Sequence, residues 1–264
     1  MPRIRKPAAS IAVTAARSFL RANKRVALAI QNHLPQAKTN LHEEYARTVA
    51  EYLRALQRGS VVVDVGGGKK CDFAHHRRPD SGVKLVAVDV SAEELAHNTD
   101  VDEKLVADAS ERLPFGNEEV DMIVSHSVVE HLRDSEAFVR ESARVLKRGG
   151  LFIHMLPNRF APFSVANQLM PRGLSRRLLR VLIPGSEGRL GFPAFYDRTY
   201  PSALRQMTAR SGFEIVELRV GYYQAEYFDF FVPLYLLNVV YELIASSLRL
   251  ENLAANVLIV ARKP

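Results

Sequence analysis

The chain has 264 residues, 47% of them hydrophobic and 25% charged, enough to bury a core, which excludes a disordered polypeptide. Its formal net charge of +7 is concentrated at one end: residues 1–42 hold eight Lys or Arg and no Asp or Glu, leaving 28 basic against 29 acidic side chains elsewhere. A near-neutral body excludes the broad basic face of a nucleic-acid binder, and a single cysteine, Cys71, excludes an intramolecular disulfide and suits a reducing, cytoplasmic setting.

In chain order, the first element is a helix. Ile11, Ala15, Phe19, Ala22, Val26 and Ile30 recur at one-face spacing, with Arg17, Arg21, Lys24 and Arg25 on the opposite side at about 100° per residue. Such a helix either packs its apolar stripe on the domain or rests on an anionic membrane surface or acidic substrate. The stretch 8–16 is too poor in Leu, Ile and Phe for a signal core, although an acid-free, Arg-bearing start also suits a transit peptide. Pro35 breaks the pattern, and a second helix is predicted over 41–56.

From Val61 onward strand and helix signals alternate. Strands are predicted at 61–65, 84–88, 104–107, 120–125 and 151–155, with helices at 92–98 and 135–146 between them. This alternation predicts an α/β fold, a parallel sheet with helices on both faces. Gly149 and Gly150 stand where a left-handed helix cap is expected, and 72–82 leaves room for a short crossover helix or a loop. Residues 158–200 read as an insertion, with one helix at 174–182 and Phe160, Phe163, Phe192, Phe195 and Tyr196 among Arg159, Arg172, Arg176, Arg177, Arg180 and Arg189. Those aromatics either clamp an acidic or lipid-linked acceptor or form core. A helix at 201–211, a break at Gly212, a strand at 213–220, a hydrophobic helix at 230–248 and a strand at 256–261 follow. The longest apolar stretch, 227–248, is interrupted by Asp229, Pro233, Asn238 and Glu242, so it is interfacial or buried and does not span a membrane. The aromatics of 222–241 build either a second small core or a hydrophobic acceptor pocket. The organisation is a basic helical extension (1–58), a ligand-binding core (59–157), a lid (158–200) and a C-terminal part of the core (201–264).

The chemistry-bearing residues begin at the first strand, which runs into Asp64-Val65-Gly66-Gly67-Gly68, and the second strand ends in Asp89. A strand, a glycine turn and an acid one βαβ unit later is how a parallel sheet holds an adenosine. A dinucleotide site wants a third glycine inside the following helix, and Cys71 stands there. An acid at the end of the first strand would repel a phosphate and suits a ligand with a cationic amino-acid tail.

Asp64, Gly66 and Gly68 together resemble the first motif of the class I S-adenosylmethionine-dependent methyltransferases. Asp89 is similar to that family's ribose-binding acid, Ala107-Asp108-Ala109 with Leu113-Pro114-Phe115 to its adenine loop, and 120–125 to its fourth strand. Glu130-His131-Leu132 and 144–150 resemble the following helix and turn of the type 11 subgroup. The resemblance covers 61–157. It implies a Rossmann-like class I methyltransferase fold of seven mostly parallel strands, the strand 256–261 inserted antiparallel, with an N-terminal helical extension and a helical, aromatic lid.

It further implies S-adenosyl-L-methionine as cofactor. Asp64 with the turn amides of Gly66, Gly67 and Gly68 would take its amino-acid end, Asp89 its ribose hydroxyls with Val90 alongside, Asp108 and Ala109 its adenine, and Ser125 would border the methyl group. Asp89 also reads as the N-cap or N′ acid of the helix starting at Ala92, with Ser91 beside it. An oxygen acceptor of high pKa gains from a positioned base, for which His131 and His126 are the catalytic candidates. Glu130-His131 is similar to an acid–histidine pair that binds a divalent ion in quinone-biosynthesis O-methyltransferases; with Ser127 in place of a further carboxylate, no dedicated metal is expected. The expected acceptor is a small molecule, a glycan or a lipid-linked compound, not nucleic acid, with a peripheral membrane contact through the N-terminal helix and 222–248 left open. The competing reading is a non-catalytic S-adenosylmethionine-binding scaffold or regulatory subunit, motivated by Lys69 and Lys70 beside the site of a cationic ligand; a nicotinamide-dependent dehydrogenase is a third.

Overall fold

The computed structural model describes residues 8–34, 41–171 and 192–264, with side chains from residue 14. The helix predicted at 174–182 and Arg172, Arg176, Arg177, Arg180 and Arg189 lie outside the described residues. Two helices come first, α1 (Ala8–Gln31) and α2 (Leu41–Ala55). Then follow β1 (Val61–Val65), β2 (Lys84–Asp89), α3 (Ala92–Ala96), β3 (Glu103–Val106), β4 (Val120–His126), α4 (Ser135–Val145) and β5 (Leu146–Pro157). After α5 (Pro162–Leu169) come α6 (Pro201–Arg210), β6 (Glu214–Gly221), α7 (Val232–Ser247) and β7 (Asn256–Arg262). The crossover after β1 is two short 3-10 turns, Ala74–His76 and Pro79–Ser81.

The seven strands form one sheet in the order β3-β2-β1-β4-β5-β7-β6. The first five pair in parallel. β7 enters between β5 and β6, antiparallel to both. This is the Rossmann-like class I methyltransferase fold. Strand order reverses at β1, whose neighbours are β2 and β4, and the carboxyl ends of these strands therefore flank the crevice where a ligand enters an open α/β sheet.

Strand alternation divides the core. Val63, Val65, Val88 and Ile123 pack with Phe138 and Val139 of α4 and Leu204 and Met207 of α6 on one face. Val62, Leu85, Met122 and Val124 pack with Leu41, Tyr45, Val49 and Leu53 of α2 on the other. A third, smaller cluster joins α1 to α7: Ala27 packs with Ala225, Tyr235 and Val239, flanked by Ile30, Leu34, Tyr223 and Phe228. Of the aromatics of 222–241, Tyr223, Phe228 and Tyr235 thus belong to a second small core, while Tyr227 and Phe231 are exposed.

Two expectations are corrected. The buried side of α1 is set by Leu20, Asn23, Ala27 and Ile30, about one residue out of phase with the predicted stripe, so that Phe19 (53% exposed) and Val26 (48%) face outward. The reason is α7: the Val232 amide donates to Asn23 Oδ1 at 2.9 Å, which selects a face bearing a polar anchor over the most apolar one. Gly149 and Gly150 do not cap α4, which ends at Val145 with an extended Leu146. They sit in a bulge where the β4–β5 register moves from Val120–Leu146 to Met122–Leu151, and Gly149, at φ 80°, donates to Lys263 O.

Candidate functional site

A cavity of about 390 Å³ opens at the carboxyl ends of β1, β2 and β4. Its floor and one side are Val65, Gly66, Val88, Asp89, Val90 and the loop from Ala107 to Ser110; opposite lie His126, Ser127, Val128 and His131. Phe192, Pro193 and Phe195 line it as well. Of the predicted residues, Gly66, Asp89, Val90, Asp108, Ala109, His126 and His131 therefore share one wall-to-wall space. Asp64, Gly67, Gly68 and Ser125 are not among its lining residues.

The glycine turn is held by its own fold. Gly66 and Gly67 both donate to Val88 O, at 2.7 and 3.3 Å, and Gly68 donates to Asp89 Oδ2 at 3.1 Å. All three amides have protein partners, so the turn contributes room for a ligand instead of a row of free donors. That room depends on missing side chains: a Cβ on Gly66, at φ 74°, would lie 2.3 Å from Val128 Cγ2, and one on Gly67 2.8 Å from Ala87 Cβ.

Asp89 serves two ends. Its Oδ1 accepts from the Ser91 amide at 2.9 Å, and the N-cap of α3 is Ser91, whose Oγ accepts from Glu94, so Asp89 supports the cap without being it. With one amide on each carboxylate oxygen, a lone pair on each remains for a ligand. Asp108 is likewise fixed, Oδ1 accepting from Ser110 at 2.8 Å.

Asp64 points from the α2 side of β1, close to Cys71, Asp72 and Asp89. Burial is the main cause that raises its pKa to about 7, reinforced by Asp72 and Asp89 and opposed by a hydrogen bond from Cys71. Among the described residues no Lys or Arg pairs with it; Lys69 and Lys70 are instead taken by Glu94 at 3.2 Å and Asp72 at 3.6 Å.

Ser125 is a correction. Adjacent strand residues face opposite sides, and while His126 enters the cavity, Ser125 is buried with its Oγ 2.6 Å from His154 Nδ1. His154 is itself buried and its pKa falls to about 3, so it remains neutral.

The two candidate bases have different second contacts. His131 donates from Nδ1 to Pro193 O at 3.1 Å; because a carbonyl only accepts, this fixes the tautomer and leaves Nε2 with the lone pair. His126 Nε2 lies 2.9 Å from His42 Nδ1, a partner from α2 that the sequence did not disclose, and Tyr45 stacks nearby at 5.1 Å between ring centroids. Burial lowers the pKa of both His131 and His126, with His42 as a further cause for His126. Both are therefore neutral, base-competent imidazoles near neutral pH.

Glu130 is buried, and burial raises its carboxyl to about 8. Among the described residues no three His, Cys, Asp or Glu side chains converge on a metal position. The Glu130 backbone carbonyl has a different role, accepting from Phe195 and Tyr196 at 2.8 and 3.0 Å and so fastening that segment beside the cavity. Ser135 adds bonds to Asp197, and Arg133 lies 4.9 Å from the centre of the Phe195 ring. The other predicted aromatics of 158–200 do not line the cavity: Tyr196 is buried, Phe160 packs on Tyr200, and Phe163 stacks on Tyr227. Arg159 holds Tyr196 O at 2.7 Å, so the one described arginine of the six is structural.

Residues 63–154 match the family model described as "Methyltransferase domain". Over 114 residues the chain is 35% identical to a Mycobacterium tuberculosis protein named "Probable S-adenosylmethionine-dependent methyltransferase Rv3030", covering 41% of this chain and 40% of that one. A Mycolicibacterium smegmatis protein of the same description is 34% identical over 114 residues, 41% of this chain and 43% of its own. The chain thus spans about two fifths of the length of the curated relatives it matches. In structure it is similar to Haemonchus contortus phosphoethanolamine N-methyltransferase 2 in complex with S-adenosyl-L-methionine, with a TM-score of 0.52 at 13% identity over 84% of this chain and 52% of that one. It is also similar to geranyl diphosphate C-methyltransferase from Streptomyces coelicolor A3(2), with a TM-score of 0.52 at 13% identity over 83% and 79%.

Proposed function

We propose that this chain, built around a class I S-adenosylmethionine-dependent methyltransferase domain, transfers a methyl group to an oxygen of a small-molecule, glycan or lipid-linked acceptor. The observation that carries the reading is the convergence of Asp89, Asp108 and two neutral histidines on one cavity at the switch point of the sheet. A lipid-linked acceptor would bring the protein to a membrane surface, for which the N-terminal helix and residues 222–248 supply the contact.

The residues present suit the cofactor. Asp64 has a raised pKa and no basic partner among the described residues, so an ammonium group arriving beside it is favoured. Asp89 keeps one lone pair per carboxylate oxygen for the two ribose hydroxyls, and Asp108 with Ala109 meets the adenine. When bound, S-adenosylmethionine supplies a methyl group on a cationic sulfur. The protein's share is alignment, exclusion of water and removal of the acceptor's proton. Phe192, Pro193 and Phe195 exclude water, and His131 takes the proton on Nε2 while Pro193 O holds its Nδ1–H.

Binding of the cofactor is expected to depend on pH. An ammonium beside Asp64 stabilises the ionised carboxyl, so ligand binding depresses a pKa that stands near 7 and releases a proton when the pH is lower. Affinity for S-adenosylhomocysteine is accordingly full above about pH 7 and falls below it, about tenfold between pH 8 and pH 6 if the bound carboxyl returns to its ordinary range. Asp64→Asn flattens this profile. A profile equally flat in the unaltered protein would remove Asp64 from the ligand.

The test of the reading is calorimetry with S-adenosylhomocysteine, repeated on Asp89→Ala, followed by turnover of S-adenosylmethionine to S-adenosylhomocysteine with a cell extract. Binding that Asp89→Ala weakens by about tenfold or more, from two lost charge-assisted hydrogen bonds, together with turnover, is the expected result. Binding without turnover would leave a scaffold, and tighter binding of NAD would turn the assignment to a dehydrogenase.

A further inference from the structure

Helix α7 has an unusual surface. Its outward arc is built from Leu236, Leu237, Val240, Leu243, Ile244 and Leu248, with Pro233 and Ser247 completing it, and it bears no charge. Leu237 is 66% exposed and Leu248 65%. The helix's one charged residue, Glu242, is fully buried and accepts from Gln224 and Asn238. A water-facing side of a soluble helix ordinarily carries its polar residues. An exposed apolar face several residues long therefore marks a contact surface.

Helix α1 packs directly beside it through Ala27 and Asn23. At about 100° per residue, the exposed Phe19 and Val26 fall on one flank of α1, whereas Arg17, Arg21 and Lys24 fall on the other with Arg25 beyond them. Lys24 is engaged by Asp229 at 3.2 Å. Arg17, Arg21 and Arg25 are exposed in a stretch, 1–42, that contains no acid. Arg249 is exposed just past the end of α7. Among the acids of 222–248, Glu242 is buried, Asp229 holds Lys24, and Glu226 is exposed ahead of the helix.

We infer that α7 and α1 together dock on an anionic phospholipid surface, α7 sinking its charge-free face into the interface and Arg17, Arg21 and Arg25 meeting the headgroups. The charge complementarity selects this occupant. A second copy would bring the same acid-free segment and offer it few acids, whereas an anionic leaflet offers a continuous sheet of negative charge. Among the described residues no helix is long and apolar enough to cross a membrane, so the helices lie along the surface. The docking stands apart from the transfer reaction and does not require that the chain be catalytically competent.

The full chain is tested by flotation with phosphatidylcholine vesicles and with vesicles containing phosphatidylglycerol, at low and at high salt. It is expected to float with the anionic vesicles at low salt, and to lose that binding as salt rises. Leu237→Glu with Ile244→Glu abolishes flotation while leaving the circular dichroism spectrum and S-adenosylhomocysteine binding unchanged. Arg21→Ala and Arg25→Ala each cost about fivefold in vesicle affinity, the effect of one basic residue near a charged surface. Absence of flotation under every condition overturns the inference, as does binding that the two glutamates leave intact. A concentration-dependent dimer in sedimentation that Leu237→Glu dissolves would overturn it in favour of a second copy.

Discussion

Gly66→Ala is expected to weaken S-adenosylhomocysteine binding by about a hundredfold or more. Two costs coincide at this position. The backbone stands at φ 74°, where an L side chain pays of order 1–2 kcal/mol. The new methyl carbon would also stand 2.3 Å from Val128 Cγ2, far inside contact distance, and relieving such overpacking typically costs 1–3 kcal/mol. Val128 lines the cavity, so its displaced isopropyl group moves into the ligand's space and the cost appears in binding as well as in stability. A hundredfold corresponds to about 2.7 kcal/mol. Adding Val128→Ala should recover part of the affinity, because it relieves the overlap and leaves the backbone strain. Calorimetry on the three proteins checks this, and an unaltered affinity in Gly66→Ala would remove the turn from the ligand's border.

His131→Gln is expected to lower kcat by about a hundredfold to ten-thousandfold with little change in cofactor affinity, the usual contribution of a general base. The choice of His131 over His126 follows from their partners. Pro193 O can only accept, so it commits the His131 proton to Nδ1 and leaves Nε2 basic, whereas the His42–His126 pair is compatible with either tautomer on each ring. His126→Gln should cost less than about tenfold. Because burial lowers the pKa of His131, its neutral form persists below pH 6.5, and the acid limb of kcat should lie on that side and vanish in the variant. A large loss in His126→Gln beside a small one in His131→Gln would move the role to His126.

Much of this architecture was legible because its signals are local. The strand ends at Val65 and Asp89 follow from apolar runs meeting glycine or acid, β4 runs one residue past its predicted 120–125 to His126, and the crevice between them follows from strand order. What escaped detection depends on distant pairing. The face that α1 buries is chosen by α7, 209 positions away at the Asn23–Val232 hydrogen bond, and no periodicity within α1 reports it. His42 meets His126 across 84 positions. Ser125 is a different kind of error, since alternation along a strand already forbids Ser125 and His126 from facing the same side. A glycine after a helix suggests a left-handed cap, but Gly149 is held in a strand bulge by Lys263, just past the end of β7.

The place of β7 in the sheet also bears on how the protein is made. As residues leave the ribosome in order, β1 to β5 can assemble side by side, but β6 has no neighbour in the sheet until residues 256–262 arrive to fill the gap. During that interval β5 presents a bare edge, and the emerging α7, with its uncharged flank, is free in solution. Nascent chains halted before β7 should accordingly be the species most prone to aggregate or to be captured by chaperones.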